Sequence, residues 1–246
     1  MGAQALEDAP AGPTQDLLTR RSLTGVVDRS KHSHVVSKTA LDKAREAPGS
    51  TKARILSAAE EVFASRGFPG ASTREIAARA GVNISSLHYH WASKETLYFA
   101  VFRNIFDRLV ALVRDALEPL QAQHQDRKAI IDQTMDRLFD FFADNPNVPK
   151  LLVRRIVENT DIDVGVERDV LVPAWGVFSA WMKRLGQKLS DTDSRLFMLS
   201  VHSVLLIYLL DSQSYQSVLG GSVRSGPLRE QVRGHVRRLV QVLLAT

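Results

Sequence analysis

Ser72-Thr-Arg-Glu-Ile-Ala-Ala-Arg-Ala-Gly-Val-Asn-Ile-Ser-Ser-Leu-His-Tyr-His-Trp91 decides how this chain is read. Ser72 and Glu75 have the spacing of a capping box, in which each side chain satisfies the other's backbone N–H. The helix they open is about two turns long, because Gly81 stops it. Asn83 is placed to cap a second short helix that runs to Trp91. Ile76, Ala77 and Ala80 are small or apolar, which lets two helices cross closely, and Val82 anchors the turn between them. Leu87 and Trp91, four residues apart, hold the second helix to a core. Short helix, tight glycine turn, short helix is a helix-turn-helix arrangement. The anchoring turns Ser85, Ser86 and Tyr89 outward, with His88 and His90 on the flanks. Small hydroxyls and flat polar rings suit groove edges and phosphates, and Lys94 just beyond can neutralise a phosphate.

Upstream, Ile55, Ala59, Val62 and Phe63 form a core-facing stripe on a helix capped by Ser50 and stopped at Gly67. Downstream, Ser93 caps a further helix with Glu95 in its first turn, where the helix dipole favours an anion. Residues 1–49 read differently. Pro10, Gly12, Pro13, Gly25, Pro48 and Gly49 interrupt them, and they carry little apolar periodicity. That stretch is expected to be a mostly disordered extension, with a short helix around 37–46. His32 and His34 lack a further ligand nearby and read as incidental.

Composition narrows the classes. Of 246 residues, 44% are apolar and 24% charged, as in ordinary globular proteins. There is no cysteine, so a disulfide scaffold, a thiolate nucleophile and a cysteine zinc site are excluded. The longest unbroken apolar run, from Val204 to Leu210, is too short to cross a bilayer. No charged-then-apolar leader is seen, so a cytoplasmic protein is expected, with no membrane partner. The net charge of +5 permits a polyanionic partner, but no segment is a polybasic tail. Shape and placed side chains must do most of any nucleic-acid binding.

Three linked motifs carry a resemblance. Residues 51–56 (Thr-Lys-Ala-Arg-Ile-Leu) lead into 63–68 (Phe-Ala-Ser-Arg-Gly-Phe). Residues 72–82 and 87–97 (Leu-His-Tyr-His-Trp-Ala-Ser-Lys-Glu-Thr-Leu) follow. Together they resemble the TetR family of bacterial regulators. The resemblance implies a dimeric, all-helical repressor with a ligand domain behind a DNA-binding head. Carried over by position, Thr73 and Arg74 would contact DNA from the second helix. Ser85, Ser86 and Tyr89 would face bases, while His88, His90 and Lys94 would hold the backbone. The sequence departs from the family at His88, where tyrosine is usual, and at Trp91, where phenylalanine is usual. Trp91 should fill the same core role; His88 leaves the usual phosphate contact open. Metal binding by His88 and His90 is disfavoured, because rings two residues apart on a helix diverge.

The rest of the chain is helical in period, so the expected fold class is all-α. The expected organisation is an extension (1–49), a helix-turn-helix head (50–97) and a helical ligand-binding and dimerisation domain (98–246). Helices are expected over 93–116, 128–144, 147–158, 166–189, 191–213 and 226–245. Breaks are expected at 145–147, 161–165 and 220–227, and a kink at Pro173. Phe139 and Phe142 share one helix, and Trp175, Phe178, Trp181, Met182 and Leu185 form a stripe on another. Such a stripe is either plain core or part of an apolar ligand pocket, with Arg154, His202 or Asn159 as a polar contact. The last two helices suit an interface. The segment 200–210 is apolar nearly all round, and Leu228, Val232, His235, Leu239 and Val242 make a seam, with Arg229, Arg233 and Arg237 off it. That seam serves either packing within one chain or, as the resemblance implies, a two-fold homodimer.

An enzyme would need a convergent polar site, and the sequence holds no Gly-rich phosphate loop, no paired carboxylates beside a base and no metal-ligand cluster. Neither a cofactor nor a metal is expected. A helical adaptor remains the other class. The function expected is a ligand-responsive repressor that binds a pseudo-palindromic DNA operator as a dimer and is released by a small, largely apolar effector.

Overall fold

The computed structural model of the protein describes residues 39–122, 127–184 and 190–245. The expectations for residues 1–38, including His32 and His34, lie outside the described residues, as do those for 185–189, including Leu185. Every regular element among the described residues is helical, so the fold is all-α.

The head is built as its caps dictate. Helix α2 (Thr51–Gly70) starts where the Ser50 hydroxyl accepts from the Ala53 N–H, and Gly67, at φ 72°, breaks it after Arg66. A side chain at Gly67 would be strained by that positive φ, and its Cβ would also displace the Glu158 carboxylate. Helix α3 (Thr73–Arg79) is capped by Ser72, which accepts from the Glu75 N–H at 3.1 Å. The reciprocal half of the expected capping box is not made. The Glu75 carboxylate is turned instead toward Arg66 Nε, 3.5 Å away. Gly81, at φ 65°, makes the turn, and Asn83 Oδ1 accepts from the Ser86 N–H to open α4 (Ile84–His90). Ile55, Phe63, Ile76, Leu87 and Trp91 are all buried in one core.

Helix α1 (Ala40–Glu46) lies within the stretch read as an extension. A complete Thr39–Asp42 capping box starts it, Ala44 is buried, and Arg45 bonds Asp107 Oδ2 at 2.9 Å and Asn104 Oδ1 at 3.0 Å. The helix falls where a short one was expected, around 37–46, and packs against α2 and against the helix that holds Asn104 and Asp107.

Helix α5 (Lys94–Ala122) runs from the head into the body, where α6 (Arg127–Asp144) and α9 (Val172–Arg184) pack on it, α10 (Asp191–Leu209) packs on both of these, and α7 (Asn147–Glu158) lies between α10 and α2. The segment 161–165, read as a break, is helix α8 (Asp161–Val166), begun by a Thr160–Asp163 capping box. A π-helical turn, Glu167–Leu171, joins α8 to α9 just ahead of Pro173. The cause is local: proline has no N–H for the Asp169 carbonyl four residues back. Arg103 Nη2 supplies the missing donor at 2.9 Å.

The helix expected over 191–213 ends earlier. Asp211 adopts φ 52°, and a separate short helix, α11 (Gln213–Leu219), begins behind the Ser212 cap. On α12 (Gly226–Ala245) the face buried within the chain is Val232, Val236 and Val240, spaced by four; of the expected seam, Val232 is buried there and Leu228, His235 and Leu239 are half-buried. Val242 is 64% exposed. The arginines beside that face meet a matching row on α6. Arg229 reaches Asp144 and Asp140, each at 2.7 Å, Arg233 shares Asp140, and Arg237 holds Asp136 at 2.6 Å. Both rows repeat every four residues, so one helical face zips against the other. No single helix among the described residues is long and apolar enough to cross a membrane.

Candidate functional site

Two arrangements stand out, one at each end of α5. At the head, Leu87 and Trp91 are sealed inside, 0% and 2% exposed, and this fixes which side of α4 faces out. Tyr89 is 83% exposed. Ser85 and His88 are also exposed, and Ser86 and His90 half-buried. On α3, Arg74 is exposed and makes no ion pair among the described residues, while Thr73 beside it is half-buried. A ring-on-edge contact at 5.0 Å ties Tyr89 to His90. His90 Nδ1 is buried without a partner, and burial, aided by the nearby Lys52 ammonium, holds its imidazole below the usual pKa. Lys52, in the first turn of α2, therefore adds a cation to this edge of the head. The sequence placed it in a motif but could not show that two helices bring it to His90.

Lys94 stands differently from the expectation. Its ammonium donates to the carbonyls of Phe68 at 3.0 Å and Ala71 at 3.1 Å, and lies 4.3 Å from the centre of the Phe68 ring. Two of its three N–H groups are engaged by the carbonyls that the break in α2 leaves open. Lys94 thereby fastens the start of α5 to the end of α2.

The body side of α5 lines a narrow apolar cleft with about 60 Å3 of open space. Trp175, Phe178 and Trp181 of α9, Phe142 and Thr134 of α6 and His202 of α10 contribute to its walls. Trp175 and His202 meet edge to face at 6.1 Å. Burial, reinforced by the Arg155 charge, lowers the His202 pKa to about 4, so the ring is neutral at neutral pH. The structure thus gathers Phe142, Trp175, Phe178 and Trp181 from the expected ligand set. Phe139 is buried elsewhere, beneath Arg233 at 5.6 Å, one turn being enough to face it toward α12. Arg154 is also elsewhere, held by Glu158 at 2.8 Å and by the Ser65 carbonyl at 3.1 Å where α7 meets α2. Asn159, in the left-handed conformation, ends α7. Thr134 and the buried Arg155 went unnoticed in the sequence, since each sits in an ordinary amphipathic helix.

Residues 55–101 match the family described as bacterial regulatory proteins, tetR family. That match places a TetR-type helix-turn-helix in the head. Its head is similar to the HTH-type transcriptional activator FasR of Mycolicibacterium smegmatis, 40% identical over 85 residues. That match covers 35% of this chain and 39% of FasR, so it speaks for the head alone. The HTH-type transcriptional regulator RutR of Escherichia coli K12 is 26% identical over 204 residues, 80% of this chain and 92% of RutR. In fold, the fatty acid degradation regulator FadR from Bacillus halodurans superposes with a TM-score of 0.58 at 17% identity, covering 80% of this chain and 95% of FadR. The chain thus resembles DNA-binding transcriptional regulators, with a helix-turn-helix head followed by a helical domain.

Proposed function

We propose that the protein is a repressor that binds a pseudo-palindromic operator as a homodimer and leaves it when a small, largely apolar effector enters the cleft beside α5. The observation that carries this reading is the outward face of α4. With Leu87 and Trp91 locked in the core, Tyr89, Ser85 and His88 face outward, where they can meet a groove. Arg74 and Thr73 at the start of α3, with Ser86 and His90, complete the contacting set.

Dimerisation draws its support from α10 and α12. Leu196, Leu199 and Ile207 on α10, and Val242 and Leu243 on α12, point away from the core and are exposed by 39% or more. Arg229, Arg233 and Arg237 of α12 are engaged by α6 of the same chain and so leave the outward apolar residues at its end uncovered. A second copy covers such a face by two-fold symmetry. The apolar cleft supports an effector of matching character, and FadR, with the same fold, regulates fatty acid degradation. FasR is an activator, so activation is the second reading, and the position of the operator relative to its promoter separates the two.

Selection of genomic fragments by the purified protein tests the reading. Two half-sites about one helical turn or a small multiple apart are expected. Affinity should fall steeply with salt. A protein that keeps no duplex at low salt would be an adaptor and not a regulator of this kind.

A further inference from the structure

We propose that α9 is a hinged wall of the apolar cleft, which swings about the π-helical turn Glu167–Leu171, with Arg103 as its latch, to open the space between α5, α6 and α10. The proposal rests on the reading of that cleft as the effector site and adds how a guest enters it.

The cleft as it stands holds about 60 Å3 of open space. A single benzene ring occupies an apolar cavity of about 150 Å3, so a wall must move to admit a guest of that size. Three of the walls are firmly tied. Lys94 fastens α5 to the end of α2, and Tyr98 fastens it to Asp163. Arginine–aspartate pairs bind α6 to α12, and α10 packs against α6, α7, α9 and α12 at once. The fourth wall, α9, is held more lightly. Among the described residues its one polar tie to another helix is Lys183–Asp191 at 2.8 Å, with both side chains more than half exposed. Such a pair contributes little. Of its described side chains, only Ala174, Trp181 and Met182 are buried, and Trp175 and Phe178 are half-buried although they line the cleft.

The turn ahead of α9 is built to give. On its near side α8 is pinned to α5. Asp163 is buried under the Tyr98 hydrogen bond, and Gly165 lies so close to Phe99 that a Cβ there would stand 2.9 Å from the ring. On its far side Pro173 has no N–H for the Asp169 carbonyl, and the Val172 N–H reaches back five residues to Glu167. The turn therefore lacks one backbone bond and takes in its place a side-chain bond from α5, Arg103 Nη2 to the Asp169 carbonyl at 2.9 Å. Asp169 is exposed, so water replaces the guanidinium when the latch lets go, and the step is reversible. A helix joined to a fixed neighbour through a weakened turn moves as one piece about that turn. The rings of Trp175, Phe178 and Trp181 move with it.

Amide hydrogen exchange of the full chain, read by mass spectrometry, tests the hinge. Residues 174–183 should exchange about tenfold or more faster than residues 97–113 of α5, by a local opening that mild urea does not promote. Arg103→Met removes the latch and should speed exchange in α9 about tenfold while leaving α5 unchanged. Pro173→Ala returns an N–H to the Asp169 carbonyl and should slow it about threefold. Equal protection of α9 and α5 in the unaltered protein overturns the proposal, as does an Arg103→Met variant in which both helices speed up alike. Nitrobenzene, an uncharged ring that quenches tryptophan emission, tests the gate in a Trp91→Phe background, where Trp175 and Trp181 remain. Its association rate should rise with Arg103→Met and fall with Pro173→Ala, in step with the exchange of α9. A rate that neither variant changes means that the guest enters elsewhere, and overturns the proposal. If nitrobenzene does not bind while α9 still opens, the hinge stands and the effector-site reading fails.

Discussion

Tyr98 Oη donates a 2.6 Å hydrogen bond to Asp163 Oδ1, both groups buried, and this bond fastens the first turns of α5 to the start of α8. Four residues earlier on the same helix, Lys94 holds the carbonyls at the end of α2. Five residues later, Arg103 holds the Asp169 carbonyl freed by Pro173. Further along, Phe106, Leu109 and Val113 reach the cleft. One helix is thus tied to the head at one end and to the apolar cleft along its other half. A ligand that prefers a different seating of α5 must shift the head, and by linkage DNA must weaken that ligand to the same degree.

Tyr98→Phe tests this tie. The ring stays packed against Phe63 and Phe102, while Asp163 loses one donor and keeps those from Thr160. Burial, together with the adjoining carboxylate, raises the Tyr98 pKa, so the phenol is the donor at any working pH. Stability measured by urea unfolding should fall by about 1–3 kcal/mol. The factor by which effector weakens operator binding should fall too, as measured by titrating effector with and without operator. Unchanged coupling in a folded variant would remove Tyr98 from the path between the two sites.

Lys94→Met separates a structural lysine from a phosphate-binding one. The methionine keeps most of the apolar stem but leaves the Phe68 and Ala71 carbonyls without the ammonium. A loss of about 2 kcal/mol in unfolding free energy is expected, with little change in the salt dependence of DNA binding. Full stability together with a salt slope reduced by about one unit would mean that the ammonium leaves those carbonyls for a phosphate.

The head was legible because its signals are local. Ser50, Asn83 and Ser93 each cap the helix that their position announces, and Gly67 and Gly81 take the positive φ that their stops require. Errors arose where a distant partner decides. Glu75 turns to Arg66 because the end of α2 lies beside it, and Lys94 turns inward because the break in α2 exposes two carbonyls. The four-residue spacing of Val232, Val236 and Val240 was present in the sequence, yet an equally regular set through Leu239 and Val242 competed with it. Only the aspartate row on α6 decides between them, by holding Arg229, Arg233 and Arg237 to one side. The cleft was half legible: aromatic spacing marked α9, but nothing local shows that Phe142 faces it and Phe139 does not.

The environment of His202 carries a signature in pH. Its folded pKa, about 4, lies below the ordinary 6.5, so the unfolded chain takes up a proton first as pH falls. The stability this contributes is complete above about pH 7 and is lost as pH drops from about 6.5 to 4. The loss is about 2–3 kcal/mol by linkage. Unfolding free energies of the protein and of His202→Gln, measured from pH 7.5 to 4, should differ by that changing amount. The difference isolates His202 from Glu60, whose pKa burial raises and which would give a slope of the opposite sign. A pH-independent difference would place His202 in contact with water.

Tyr89 offers the most direct measurement of the whole account, because its exposure lets it be removed without touching the core. Dissociation constants of the protein and of Tyr89→Ala should be measured for the selected operator and for random duplex across a range of salt. If the outward face of α4 reads bases, the variant loses roughly 1–3 kcal/mol of preference for operator over random DNA, while its salt slope and its affinity for random DNA hold. If the variant keeps its full preference, α4 does not read the operator through this face, and the assignment of the DNA-reading surface is contradicted.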